Sequence, residues 1–278
     1  MTSGFSILIP TWNNLPYLQA CVRSIRKYSS YDHEIVVHVN EGKDDTLAWL
    51  DKEQIRFTSS NENIGICKAF NQMLPASSRA QVLYMNDDMF VLPEWDTQLV
   101  KAIPEQPHWM LSATMIEPTD TGNPVVRVID YGQNLIQFTE EQLVMEMDRL
   151  VREDWSGSTW PPVLLARDTL EAVGGFSEEF SPGMYSDPDL AMKVWQLGGR
   201  YFKGVGSSLV YHFQAKSTGR VKKNNGRLTF MKKWGITPSA FYAHYLHMGE
   251  PWTGPQSDPP NSKLLGNRMR VKLQTIGR

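Results

Sequence analysis

Short apolar runs alternate with segments of helical periodicity over the first ninety residues or so. No other feature constrains the fold as strongly. Residues 5–9 form an apolar run closed by Pro10, the pattern of a buried strand. Leu15, Leu18, Val22 and Ile25 then recur at helical spacing across residues 15–28. Residues 34–39 predict a second strand, and Asp44 and Asp45 offer N-caps to a helix that continues to Leu50. A third strand is expected over 55–58 and a helix over 64–74, stopped by Pro75. A fourth strand over 81–85 runs directly into Asn86-Asp87-Asp88. Strands alternating with helices imply an α/β fold with a mostly parallel sheet covered on both faces. Ligands of such sheets bind beyond the carboxyl ends of the strands. Residues 10–14, 40–43 and 86–88 all fall at those ends.

The pattern is less regular further on. Residues 119–124 form a turn cluster, 139–151 read as a helix, and the Trp- and Pro-rich stretch 155–162 reads as a loop. A strand over 163–166 and a short helix over 168–173 precede Gly174-Gly175-Phe176. A further helix starts at Asp187 or Pro188 and ends at Leu197, followed by strands over 201–205 and 208–213. After His212 the composition shifts. Lys216, Arg220, Lys222, Lys223, Arg227, Lys232 and Lys233 follow one another with no acidic residue between them. Residues 251–278 are rich in Pro and Asn and then basic, with Lys263, Arg268, Arg270, Lys272 and Arg278. A core domain over 1–215 with a basic, aromatic C-terminal appendage over 216–278 is the expected organisation.

Bulk properties exclude several classes. A net charge of −2 on 278 residues gives no whole-molecule field that would draw nucleic acid or membrane. Two cysteines, Cys21 and Cys67, make neither a disulfide framework nor a zinc cluster, and fit a reducing compartment. The first ten residues lack the features of a signal peptide, and no apolar run is long enough to span a bilayer. A cytoplasmic protein is expected.

Adjacent carboxylates after a buried strand repel each other, and a divalent cation relieves that repulsion. Hard carboxylate oxygens suit Mg²⁺ or Mn²⁺, which usually keep substrate phosphates as further ligands. The plain alternative for Asp87-Asp88 is a polar turn. His212 follows a strand, where it either packs as a core histidine or completes a Mn²⁺ shell. The basic residues after it would neutralise a diphosphate, or form a solvated face. No Walker A pattern is present, so phosphate would be held by metal and cations. Asp187 in Ser186-Asp187-Pro188-Asp189-Leu190 sits at a helix start, where it is either an N-cap or a general base. Both readings hold together if Asp189 serves the helix and Asp187 an acceptor hydroxyl.

In this order, these segments resemble the family-2 glycosyltransferases of GT-A fold, from Ile7 to about His212. Ile7-Leu-Ile-Pro-Thr-Trp-Asn-Asn14 is similar to the first strand and nucleotide loop. Asn61-Glu-Asn-Ile-Gly-Ile-Cys-Lys-Ala-Phe-Asn71 is similar to the family's Asn-x-Gly helix. Tyr84-Met-Asn-Asp-Asp-Met89 resembles the DxD-type metal motif, with Asn86 in the first acidic place. Leu165 to Phe176 resembles the strand, short helix and Gly-Gly-Phe turn. Ser186-Asp187-Pro-Asp189-Leu190 stands where the family has Glu-Asp-x-Asp-Leu, and Val210-Tyr-His212 followed by Ser217 matches the histidine segment.

The resemblance implies inverting transfer from a UDP-, GDP- or dTDP-sugar, with Mn²⁺ or Mg²⁺, to a glycan or lipid-linked acceptor in polysaccharide or glycan synthesis. It implies nucleotide-sugar contacts from Pro10, Thr11, Asn14, Asn63, Gly65 and Lys68. Asn86 or Asp87 would meet ribose or metal. Asp88 and His212 would hold the metal, and Asp187 would be the base. Trp155, Trp160, Tyr185 and Asp189 are the sugar- and acceptor-side candidates, since aromatic faces stack on the apolar faces of sugars. Two places depart from the pattern. The second-strand loop has Asn40-Glu41 where an Asp often binds the base, so either of these substitutes. Ser186 replaces the acid that usually precedes the base. The competing readings are a nucleotidyltransferase, a non-catalytic nucleotide-sugar-binding module and, through the basic C-terminal region, nucleic-acid binding. That same region, with Phe241, Tyr242, Tyr245 and Trp252, is also a candidate for docking on anionic lipid or for shaping a lipid-linked acceptor site.

Overall fold

The computed structural model describes residues 4–215 and 224–275. Lys216, Ser217, Arg220, Lys222, Lys223 and Arg278, named above for their charge or motif, lie outside the described residues. The alternating first part folds as β1 (Ser6–Trp12), α1 (Leu15–Tyr28), β2 (Glu34–Asn40), α2 (Thr46–Lys52), β3 (Arg56–Ser60), α3 (Gly65–Met73) and β4 (Gln81–Tyr84). Then come β5 (Met89–Val91), α4 (Trp95–Ala102), β6 (Trp109–Glu117), β7 (Arg127–Val128), α5 (Glu140–Leu150) and β8 (Trp155–Ser156). The chain continues through β9 (Val163–Ala166), α6 (Arg167–Ala172), α7 (Ser186–Gln196) and β10 (Tyr201–His212) to α8 (Gly226–Trp234), α9 (Pro238–His244) and α10 (Asn261–Thr275).

The strands form one mixed sheet in the order β3-β2-β1-β4-β9-β6-β10-β5, with β7 beside β6 and β8 beside β10. The β3, β2, β1 and β4 block is parallel throughout, and β6 and β10 are parallel to each other. β9 runs antiparallel between β4 and β6, and β5 antiparallel beside β10. Both faces of the sheet are covered. Alternate residues of β1 point to opposite faces, so Ile7 and Ile9 join one core with Leu18, Val22, Ile25 and Leu50. Leu8 joins the other core, with Phe70, Leu190, Phe230 and Phe241 from α3, α7, α8 and α9. A third cluster gathers Phe90, Tyr131, Leu143 and Tyr211 beneath α5.

Three expectations are corrected, the first being that residues 155–162 are all loop: Trp155–Ser156 form β8 against β10. β1 does not end at Pro10 but continues to Trp12. Its pairing with β4 stops at Leu8, so the proline lies where the strand has lost one neighbour and its missing N–H costs no ladder bond on that side. Residues 201–213 do not hold two strands but one continuous β10. A bulge absorbs residues 206–208: Val205 pairs with Ala113 while Leu209 pairs with Thr114. Gly206 fits there because a Cβ would sit 1.9 Å from the Arg152 carbonyl oxygen. Sequence reading also assigned nothing to β5, α4 and β6. β6 is buried along its whole length but carries Ser112 and Thr114, which interrupt the apolar signal. Their hydroxyls donate to the carbonyls of Trp160 (3.0 Å) and Val205 (2.9 Å). No helix among the described residues is long and apolar enough to cross a membrane.

Candidate active site

Three strand ends converge at one rim of the sheet, and pairing register decides which side chains meet there. β5 pairs with β10 so that Met89 faces His212, which brings the preceding Asp88 against the histidine. β6 pairs with β10 so that Ile116 faces Tyr211, which puts Glu117 on its other side. His212 therefore stands between two buried carboxylates, with Nε2 3.3 Å from Asp88 Oδ1 and Nδ1 2.7 Å from Glu117 Oε1. Burial opposes a charge on the ring, but Asp88 and Glu117 outweigh it and lift the histidine to about 10. The remaining acceptors are also engaged. Ala215 N–H donates to Asp88 Oδ2 at 2.8 Å, and Gln214 Nε2 donates to Glu117 Oε2 at 2.7 Å. Phe213 N–H donates to the Asp88 carbonyl at 3.0 Å, clipping the acidic turn to the end of β10.

Asp87 turns toward β1, where Thr11 Oγ1 donates to its Oδ2 at 2.6 Å and the Asn14 side chain adds a second hydrogen bond. Burial first, and then the charge of Asp88, raise its pKa. Asn40 ties the neighbouring loops together: its Nδ2 donates to the Thr11 carbonyl (3.2 Å) and its Oδ1 accepts from Ile64 N–H (2.9 Å). Asn63 Oδ1 accepts from Gly65 N–H at 3.0 Å. Gly65 has φ +78°, and a Cβ there would lie 2.5 Å from Pro182 Cα. Only glycine lets α3 approach the 181–185 loop this closely. Ile66 N–H seals the contact through the Pro182 carbonyl at 2.8 Å.

That loop delivers Asp187. Tyr185, in the left-handed conformation at φ +68°, caps α7, and Asp187 lies in its first turn. The carboxyl is half-buried, and burial raises it to about 7 despite a backbone hydrogen bond that works the other way.

These elements enclose a cleft of about 810 Å³, a size typical of small-molecule sites. Of the sequence candidates, Pro10, Thr11, Asn40, Asn63, Gly65, Asn86, Asp87, Asp88, Trp160, Tyr185, Asp187 and His212 line it together. Trp160 packs against Tyr242 of α9, with ring centroids 5.3 Å apart.

Five candidates lie elsewhere. Asn14 acts from behind Asp87. Glu41 is held outside by Lys43 (3.0 Å) and Asn13 (3.2 Å). Lys68 is exposed on α3 and does not reach the lining. Trp155 is buried, its Nε1 donating to Thr114 Oγ1 at 2.9 Å and its ring filling the space a Gly204 side chain would need. Asp189 is buried on the far side of α7, where Oδ1 meets Trp234 Nε1 (2.8 Å) and Lys233 Nζ (3.0 Å). The burials of Trp155 and Asp189 rest on partners distant in sequence, which composition does not announce.

Glu117 and Gln214, which the sequence did not single out, also line the cleft. A signal existed for Glu117, because it closes an apolar run as Asp87-Asp88 does. Tyr242, marked in the sequence only as part of the aromatic C-terminal region, lines the cleft as well.

No group of three or more His, Cys, Asp or Glu side chains among the described residues is arranged to hold a metal ion alone. Asp88 Oδ1 and His212 Nε2 nevertheless lie 3.3 Å apart on the cleft, so a cation that displaced the Nε2 proton would meet an oxygen and a nitrogen donor side by side. That set fits a cation of the Mg²⁺ or Mn²⁺ type, which takes one or two protein ligands and completes its shell with substrate phosphates and water.

A sheet of this topology with acids at its rim has the architecture of the GT-A glycosyltransferases. The fold is similar to GalNAc-T7 with UDP, GalNAc and Mn²⁺, at a TM-score of 0.62 and 15% identity, over 87% of this chain and 50% of that one. It is likewise similar to the mannosyltransferase PcManGT of Pyrobaculum calidifontis in complex with GDP-Man and Mn²⁺, at a TM-score of 0.56 and 14% identity, over 99% of this chain and 70% of that one. The model for glycosyl transferase family 2 matches residues 6–154, and the chain belongs to that family. The O-antigen biosynthesis protein RfbC of Myxococcus xanthus is 23% identical over 93% of this chain. The chain spans only 26% and 20% of the lengths of the two curated relatives it matches.

Proposed function

We propose that the chain transfers a sugar, with inversion, from a metal-bound nucleoside-diphosphate sugar to a hydroxyl of a glycan or lipid-linked acceptor. The observation that carries this reading is that Asp88 and His212 on the sheet rim and Asp187 on α7 line one cleft from independent elements. In-line displacement needs that division, with charge neutralised at the leaving group and a base on the opposite face.

Asp88 and His212 would hold Mn²⁺ or Mg²⁺, which when bound supplies charge stabilisation at the departing diphosphate. Thr11 and Asn14 keep Asp87 oriented beside it. The acceptor oxygen attacks the anomeric carbon, the bond from that carbon to the diphosphate oxygen breaks, and Asp187 takes the hydroxyl proton. A carboxyl raised to about 7 suits that task, because it is substantially ionised near neutrality and still basic enough to accept a proton. Trp160 and Tyr242 offer aromatic faces to a sugar ring.

Support for the donor class comes from structural neighbours that bind UDP, UDP-GlcNAc and GDP-Man. The RfbC relative favours a surface polysaccharide as the pathway. The test is a thermal-shift panel of UDP, GDP and dTDP, each with Mn²⁺ and with EDTA, on the parent and on Asp88→Ala. Stabilisation by one nucleotide that needs Mn²⁺ and disappears in the variant is the expected result. Metal-independent stabilisation equal in both proteins would refute the assignment of Asp88.

A further inference from the structure

We infer that α10 is a docking element for an anionic lipid surface. This reading rests on the helix alone and is independent of the transfer chemistry. The helix spans Asn261–Thr275, about 22 Å at 1.5 Å per residue. Leu264 and Val271 are buried, and the helix packs against α8 and α9. Leu265, Met269 and Leu273 recur every fourth residue, which aligns them along the opposite side. They are 63%, 60% and 77% exposed. They account for three of the nine exposed large hydrophobics among the described residues.

Charge determines what covers this stripe. The helix carries Lys263, Arg268, Arg270 and Lys272 and no acidic residue. At about 3.6 residues per turn, Arg268 and Lys272 flank the stripe on one side and Lys263 and Arg270 on the other. An apolar strip between two rows of cations matches an anionic bilayer, which offers acyl chains below and phosphates on either side. A second copy of the helix would bring four cations against four. A nucleic acid would leave the apolar strip without a partner. α9, which contributes Tyr242 to the cleft, lies under α10, so the docked helix would hold the cleft one helix away from the bilayer.

The experiment is flotation of the 278-residue chain with vesicles of phosphatidylcholine alone and of equal parts phosphatidylcholine and phosphatidylglycerol. The parent should float with the anionic vesicles only, and high salt should release it. Leu265→Ser/Met269→Ser/Leu273→Ser alters only exposed side chains. It should leave the thermal midpoint in place while lowering the partition coefficient by about tenfold or more. Arg270→Gln/Lys272→Gln should lower it by about fivefold per cation removed. The proposal is overturned if the parent stays off anionic vesicles or the serine variant floats like the parent. It is equally overturned if sedimentation reveals a dimer that the serine variant abolishes, since the stripe would then belong to a second copy.

Discussion

Asp187→Asn should inactivate the protein and stabilise it, and the stability gain should grow with pH. Burial lifts the Asp187 carboxyl from 3.8 to about 7. A rise of that size corresponds to about 4 kcal/mol between folded and unfolded ionisation. The group is half-buried, so solvent screens part of it and roughly 2 kcal/mol is the working figure. The folded pKa is raised, so folded and unfolded chains hold the proton alike below about pH 4. Between 4 and 7 the unfolded chain releases its proton first and stability falls as pH rises. Above 7 the loss is complete. Asparagine has the same shape and no such loss. Urea unfolding of parent and variant at pH 4, 6 and 8 reads the difference directly, because every other titrating group cancels. The variant's advantage should be smallest at pH 4 and reach roughly 2 kcal/mol at pH 8. Transfer should meanwhile drop by roughly 10²–10⁴-fold, the usual contribution of a general base. A pH-independent difference would refute the burial argument. Retained turnover would place the base elsewhere.

Glu117→Gln replaces the carboxylate that receives His212 Nδ1. Mn²⁺-dependent nucleotide affinity, read by titration calorimetry, should weaken by about 10- to 100-fold, while binding in EDTA stays unchanged. An equal loss in both conditions would make Glu117 merely structural. Gly65→Ala forces a side chain into the left-handed conformation at φ +78° and against Pro182. It should cost about 1–3 kcal/mol of stability by denaturant unfolding, and it should raise the KM for acceptor, because the loop carrying Asp187 leans on that contact. Unaltered stability would show that the loop yields freely.

The parallel β1 to β4 block and the helices between its strands were legible because each element buries one consistent face. Leu18, Val22 and Ile25 are apolar at helical spacing because they all meet the same sheet face. Acids at the strand ends were legible for the converse reason, since charge directly after a buried run needs a cause. β6 was not, because its serine and threonine find backbone partners that only the tertiary fold supplies. Trp155 and Asp189 illustrate a related limit. Residue type marked both as candidates for a sugar or an acceptor, yet one is consumed by Thr114 and Gly204 and the other by Lys233 and Trp234. The partners lie 41 or more positions away in sequence for every one of these contacts. Local pattern carries no trace of such pairings.

The contact between Gly65 and Pro182 joins two parts of the cleft wall that are otherwise mounted separately. Glu117 and His212 end paired strands, and Asp88, in the turn before β5, is clipped to the end of β10 by Phe213 N–H. Asp187 stands on a loop and helix start that no strand pairing restrains. Drift in the 181–185 segment can therefore reshape one wall while the opposite wall keeps its geometry. Under the proposed function, a lineage built on this scaffold would be free to diversify what it modifies without relearning how to hold what it donates.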